Sequence, residues 1–178
     1  MQRNTEQKIV EETSSKGYKL RYSPGDGYYS SDELRIITAD PPFEPSKSKQ
    51  RQAIEFLISE LGEYHIKSIL ATHPQFVDPG ENFESVACNL CGEPLKMDDW
   101  QEFMSTAHES KFHELSILPK CCDKETSLNK LTYSWQAGFS KYRLSIIGFN
   151  PNENKLAKLM DQLEKILETN LKVIRAKY

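Results

Sequence analysis

The chain of 178 residues contains no long apolar run. None of its apolar stretches approaches the roughly 18 consecutive residues that a transmembrane helix requires. The first eight residues, MQRNTEQK, also lack the apolar core of a secretory signal peptide. We therefore expect a cytoplasmic protein that does not contact a membrane.

The common sequence motifs of nucleotide binding and hydrolysis are also missing. The chain has no GxxxxGK[ST] phosphate loop, no GxGxxG dinucleotide fingerprint and no GxSxG nucleophile elbow. The zinc-enzyme patterns HExxH and HxE followed by CxxC are absent as well. A zinc-dependent enzyme is therefore the least favoured of the function classes that we consider.

Cysteine is scarce, and all four cysteines occur in two tight pairs. Cys88 and Cys91 form a CNLCG segment, and Cys121 and Cys122 are adjacent. A CxxCG turn directs two sulfurs at one point and frees backbone N–H groups to hydrogen-bond them, which is typical of the first half of a structural zinc site. In a reducing compartment such cysteines are more often metal ligands than disulfides. We predict that Cys88, Cys91, Cys121 and Cys122 bind one Zn²⁺.

The second cysteine pair leaves an alternative open, because two adjacent residues must splay to reach one ion. If only one of these two sulfurs points inward, His108 or His113 is the expected substitute. With only three protein donors, water could occupy the fourth position and a nearby glutamate could act as a base. The candidates for that base are Glu102, Glu109 and Glu114.

The net charge of −3 is unevenly distributed. Residues 1–123 carry 13 basic against 21 acidic side chains, whereas residues 124–178 carry 10 against 5. The acidic majority argues against broad binding to a phosphate backbone, but the basic C-terminal third leaves room for a local anionic partner. Four aromatic residues are interleaved with the basic side chains of this part: Tyr133, Trp135, Phe139 and Tyr142. On an open sheet face they would suit the stacking of nucleic-acid bases. The alternative is that they pack in the core.

Apolar periodicity predicts six elements on either side of the cysteine segment. Ile54, Leu57, Ile58 and Leu61 have helical spacing, and residues 139–147 alternate like a half-buried strand. The predicted elements are strand 34–38, helix 48–61, strand 64–71, strand 139–147, helix 152–168 and strand 171–177. This β-α-β-β-α-β order predicts an α+β protein of the ferredoxin-like sandwich type, with a zinc-ribbon-like module inserted between the second and third strands.

The same patterns divide the chain into four parts. We predict a flexible N-terminal arm (1–17), the first half of the α+β domain (18–82), the zinc-binding module (83–132) and the second half of the domain (133–178). Within the module, the spacing from Trp100 to Ala107 predicts a helix, and residues 127–133 predict a strand that leaves the site. The last helix is expected to have Asn150 as its N-cap and to end with Asn170 in a left-handed conformation.

Several short segments together resemble those of a known group of sequences. The segments are Cys-Asn-Leu-Cys-Gly, Leu118-Pro119-Lys120-Cys121-Cys122, Thr126-Ser127-Leu128-Asn129 and Tyr133-Ser134-Trp135-Gln136-Ala137-Gly138-Phe139. They resemble uncharacterised bacterial proteins with a CxxCG turn, a later Pro-x-Cys-Cys and a Ser-Leu-Asn…Trp…Gly-Phe segment, over residues 84–178. The resemblance implies metal binding in a bacterial cytosol and no established activity.

Three functions follow as hypotheses from these patterns. The first is a non-catalytic, zinc-stabilised adaptor or regulatory protein that contacts another protein. The second is a nucleic-acid-associated zinc-ribbon protein that uses the basic C-terminal third. The third, a zinc-dependent enzyme, would require a metal-bound water.

Overall fold

The computed structural model describes residues 9–25 and 29–178 as an α+β fold with three helices and a six-stranded sheet that is mostly antiparallel. The helices are α1 (Lys47–Leu61), α2 (Met97–Glu109) and α3 (Glu153–Leu167), with a 3₁₀ turn at Leu128–Lys130. The six strands of the main sheet are β1 (Val10–Ser14), β2 (Gly17–Tyr22), β3 (Asp32–Thr38), β4 (His65–Val77), β9 (Gly138–Ile147) and β10 (Leu171–Lys177). Two small ribbons pair β5 (Val86–Ala87) with β8 (Thr132–Tyr133) and β6 (Ser116–Ile117) with β7 (Thr126–Ser127).

The main sheet has the strand order β1-β2-β4-β9-β3-β10. Alternate residues of these strands are buried against α1 and α3, which contact each other on one face of the sheet. The core on this face contains Leu20, Ile36, Ile66 and Leu144, all essentially inaccessible to solvent. All six elements that the periodicity predicts are present.

The chain between β4 and β9 holds a second apolar cluster. Phe139 lies at its centre and contacts the rings of Phe76 and Phe112, with centroids 5.1 and 5.2 Å apart. Because Phe76 and Phe139 belong to β4 and β9, this cluster packs directly onto the extended end of the main sheet. The predicted helix of this segment is confirmed as α2, with Asp98 and Asp99 in its first turn.

Two strand predictions are wrong in their extent. β4 continues to Val77 because a register shift between Leu70 and Gln75 accommodates Pro74, which cannot donate to a strand ladder. The strand predicted over residues 127–133 is interrupted by the 3₁₀ turn, since the Ser127 hydroxyl accepts a hydrogen bond from the Asn129 N–H. Apolar alternation encodes neither the register shift at the proline nor the side-chain hydrogen bond of Ser127.

The predicted caps of the last helix are also wrong. Asn152 is the N-cap of α3, and its side chain accepts from the Lys155 N–H at 2.9 Å. The Asn150 side chain instead accepts a hydrogen bond from Arg175 on β10 at 2.7 Å. At the other end, Glu168 rather than Asn170 adopts the left-handed conformation.

The predicted N-terminal arm contains a strand. Residues 10–14 form β1, which pairs with β2 through a tight turn at Ser15 and Lys16. All five residues of β1 are exposed, so the strand has no apolar alternation by which its sequence could reveal it. Residues 1–8 of the predicted arm lie outside the described residues. None of the described helices has the length and apolar character to cross a membrane.

Candidate metal centre

The four cysteine sulfurs converge at one point. All four Sγ atoms lie within 4.8 Å of one another, and the Cys88–Cys122 and Cys91–Cys121 distances are 3.7 and 3.4 Å. None of the four forms a disulfide bond. A zinc ion roughly 2.3 Å from each of four tetrahedral sulfurs would place each pair about 3.8 Å apart. The spacing of this cluster therefore fits a tetrahedral metal ion.

The first cysteine pair lies in a tight turn directly after β5. The Gly92 N–H donates to the Cys88 carbonyl, and the Cys88 N–H donates to the Glu93 carbonyl, both at 2.9 Å. Gly92 has φ +78°, a backbone conformation that side chains with a Cβ rarely adopt. The glycine of the CxxCG pattern is thus required by the turn itself.

Electrostatics within the turn favour a thiolate at Cys88. Burial raises the pKa of this thiol, but hydrogen bonds from the Leu90 and Cys91 N–H groups, together with those from the Cys91 and Cys122 thiols, outweigh burial and lower the pKa to about 7. Burial and the neighbouring cysteine thiols raise the pKa of Cys121 to about 12. A bound cation would remove this opposition between the pKa values of Cys88 and Cys121, because it stabilises several adjacent thiolates at once.

Two polar contacts connect the residues around the second cysteine pair to the rest of the segment. Lys120 forms an ion pair with Asp99 in the first turn of α2, at 2.6 Å. Thr126 donates to the Asn89 side chain at 2.7 Å, which links the two cysteine turns directly. Asp123 follows the pair in a left-handed conformation with φ 47°.

The alternative histidine ligands lie outside the cysteine cluster. His108 is in the last turn of α2, where its ring packs against Phe112 at 5.5 Å. His113 lines a cavity of about 520 Å³ between the cysteine segment and the end of β3. Over residues 9–25 and 29–178, the cysteine cluster is the one group of His, Cys, Asp or Glu side chains whose spacing could hold a metal ion.

The cluster has a buried and an exposed side. Cys88 is buried and Cys122 is half-buried, whereas Cys91 and Cys121 are exposed. Two apolar side chains beside the cysteine turns are also exposed: Leu90 at 47% and Leu118 at 58%. Sequence reasoning missed this apolar rim, because an isolated leucine in a turn carries no periodic signal.

Most of the aromatic residues considered for base stacking lie in the core. Tyr133, Phe139 and Tyr142 are buried, and Trp135 is exposed at 39%. The Tyr142 hydroxyl lies 2.9 Å from the Ser68 hydroxyl inside the main core. The core-packing interpretation therefore holds for three of the four aromatic residues.

Comparisons with known proteins identify no relative of the chain. Neither the family models, nor the curated proteins, nor the solved structures include a significant match to the chain.

Proposed function

We propose that this chain is a zinc-binding, non-catalytic adaptor or regulatory protein that acts through contacts with another protein. The observation that carries the proposal is the convergence of four sulfurs within 4.8 Å. Four thiolates complete the tetrahedral shell of Zn²⁺, so no position remains for a reactive water. When bound, the ion would supply a fixed crosslink between the two cysteine turns.

We also propose that the fold is a ferredoxin-like sandwich with a zinc-ribbon-like insertion. The order β10-β3-β9-β4 within the main sheet, with α1 and α3 on one face, supports the first part. The position of both cysteine pairs between β4 and β9 supports the second.

The surface beside the metal centre supports a protein partner. Leu90 and Leu118 are exposed next to the two cysteine turns, and Met97 is exposed at the start of α2. A metal crosslink would hold the backbone of the two turns that carry Leu90 and Leu118 in one conformation, which lowers the entropy cost of a protein–protein contact there. We propose that the apolar rim of Leu90 and Leu118, together with Met97, contacts the partner.

The metal assignment is tested by the metal content of cysteine variants. We expect about one zinc per chain in the unaltered protein and a large loss in Cys88→Ser and Cys91→Ser, because structural zinc contributes on the order of 10 kcal/mol to a small module. Elemental analysis of the purified full chain measures this. Leu90→Ser is the matched control, since it alters the same turn without removing a sulfur. Equal metal content in Cys88→Ser and the unaltered chain would refute the assignment.

The adaptor role is tested with the same control variant. Leu90→Ser and Leu118→Ser should retain their metal but lose partners that the unaltered chain captures in quantitative affinity purification. Unchanged capture with both variants would place the contact surface elsewhere, while leaving the metal assignment intact.

The nucleic-acid alternative rests on the basic C-terminal third. It is weakened by the burial of Tyr133, Phe139 and Tyr142, which leaves Trp135 as the exposed aromatic residue of that group. Binding of an oligonucleotide with a steep salt dependence would favour this alternative over the adaptor.

A further inference from the structure

The face of the main sheet opposite α1 and α3, here called the outer face, contains two half-buried arginines in different environments. Arg35 has partners within the chain: it donates to Glu33 at 2.9 Å and to the Tyr178 hydroxyl at 2.6 Å, and its guanidinium lies over the Tyr178 ring. Its Nε alone is buried without an acceptor. Arg143 lies one strand away on the same face. Within the described part of the chain it has no hydrogen bond or ion pair, and its Nε is shielded from solvent.

The absence of a partner is costly for Arg143. A guanidinium presents five N–H donors and remains charged, so burial without an acceptor is unfavourable. Burial lowers the pKa of Arg143 and repulsion from Arg35 lowers it further, against weaker attraction to Glu33. An anion from outside the chain would supply the missing acceptor and balance the charge of Arg143.

A cavity lies directly over Arg143. Its volume is about 250 Å³, and it is bounded by the β1–β2 turn, the register shift of β4 and the middle of β9. The polar side chains lining it include Lys16, Lys19 and Gln75 in addition to Arg143. Lys19 and Arg143 flank Ile69 in one cross-strand row, so both project from the outer face.

The charge of this cavity is strongly positive. The one carboxylate in its lining, Glu12, is already paired with Arg21, while Lys16, Lys19 and Arg143 form no ion pair among the described residues. A single carboxylate would balance one of these three charges, whereas a dianionic phosphate would balance two. The planar fork of Arg143 also matches two oxygens of a phosphate.

The backbone holds the rim of the cavity in place. Gly17 has φ +129°, and a Cβ at this position would lie 2.0 Å from the Leu70 carbonyl oxygen. Only glycine therefore allows the β1–β2 turn, which carries Lys16, to approach β4 this closely. The β1–β2 turn and the register shift of β4 together form the cavity.

We propose that this cavity binds the terminal phosphate of a small molecule, with Arg143 as the central ligand and Lys16 and Lys19 at the rim. The site is separate from the cysteine cluster and does not depend on the proposed function. The dimensions of the cavity suit a small phosphate monoester rather than a continuous nucleic-acid backbone.

The experiment is calorimetric titration of the full chain with inorganic phosphate at constant ionic strength. We expect saturable binding with a dissociation constant on the order of 1 mM. Arg143→Gln should weaken it by about ten-fold or more, because the two-oxygen contact is lost. Lys67→Gln is the matched control: Lys67 projects from the same face and forms no ion pair among the described residues, but it does not line the cavity.

Each outcome decides the proposal. An absence of saturation in the unaltered chain, equal weakening by Lys67→Gln and Arg143→Gln, or tighter binding of an oligonucleotide without terminal phosphates would overturn it. Thermal unfolding without phosphate shows whether Arg143→Gln is folded. If it is not, Lys19→Gln, at a partly exposed position, is the second variant and should weaken phosphate binding while Lys67→Gln does not.

Discussion

At the scale of single residues, the outer face shows how a buried charge depends on its partners. The Glu33 and Arg35 side chains are 17% and 11% exposed, and they satisfy each other directly. Burial alone would raise the pKa of Glu33, but the hydrogen bond and the charge of Arg35 outweigh burial and lower it below its ordinary value of 4.5. Arg143, without such a partner, is the exception on which the phosphate proposal rests.

The lowered pKa of Glu33 predicts a pH-dependent contribution to stability. Above pH 4.5 the carboxylate is charged in both the folded and unfolded states and its pairing is fully effective; the contribution is lost as the pH falls through the folded-state pKa. We expect Glu33→Gln to lower the free energy of unfolding by about 1–3 kcal/mol at neutral pH. The difference from the unaltered chain should shrink as the pH is lowered below 4.5.

Urea denaturation at a series of pH values measures this dependence. Asp32→Asn is the control, because Asp32 is an exposed carboxylate one residue earlier in the same strand. A Glu33→Gln deficit that stays constant across the acidic range would contradict the assigned cause.

At the scale of elements, the two asparagines that precede α3 have different roles. Asn152 caps the helix, whereas Asn150 accepts from Arg175 on β10. We expect Asn152→Ala to lower the free energy of unfolding by about 1 kcal/mol, because the first turn of the helix loses its side-chain acceptor. Asn150→Ala should lower the free energy of unfolding by a smaller amount, since it removes one exposed contact.

Double variants distinguish the two roles. Arg175→Ala should abolish the effect of Asn150→Ala and leave that of Asn152→Ala unchanged, as measured by equilibrium denaturation. Coupling between Arg175 and Asn152 of the same size as that between Arg175 and Asn150 would disprove the assignment of the cap.

The helices and strands also show which parts of the fold apolar periodicity can predict. Ile54, Leu57 and Leu61 identify α1 because one face of the helix is buried along its whole length. The second half of β4 could not be predicted in this way, because Pro74 and the register shift break the alternation where the strand meets the cysteine segment. The N-cap of α3 is Asn152, whereas Asn150, two residues earlier, accepts from Arg175 on β10, a contact between distant segments that local sequence does not reveal.

At the scale of the whole molecule, the described residues form two large apolar cores, besides a small cluster of Ile37, Val77 and Ile174. The larger lies between the sheet and α1 with α3, and the smaller surrounds Phe139 between β4 and β9. The cysteine cluster belongs to the segment that contains the smaller core. A metal ion there should stabilise this segment more than the main sheet.

Metal removal tests this separation of the two cores. On treatment with a strong zinc chelator, we expect hydrogen exchange to accelerate in residues 84–95 and 115–127, because the crosslink between the cysteine turns is lost. The centres of β3, β4 and β9 should remain protected. Cys88→Ser should show the same pattern without chelator and no further change with it. Uniform acceleration across the main sheet, or none in the cysteine segment, would contradict this arrangement.

The sequence by itself determined the α+β class, the six main elements and the two cysteine pairs as candidate metal ligands. Each of these follows from local spacing: apolar periods of two or 3.6 residues, and a CxxCG turn that requires glycine after the second sulfur. Only the tertiary structure decided that the adjacent Cys121 and Cys122 reach the same point as Cys88 and Cys91. It also decided that Tyr133, Phe139 and Tyr142 are buried and that Arg143 faces a cavity without a partner among the described residues. These outcomes depend on contacts between segments that are distant in the chain, and local spacing contains no information about such contacts.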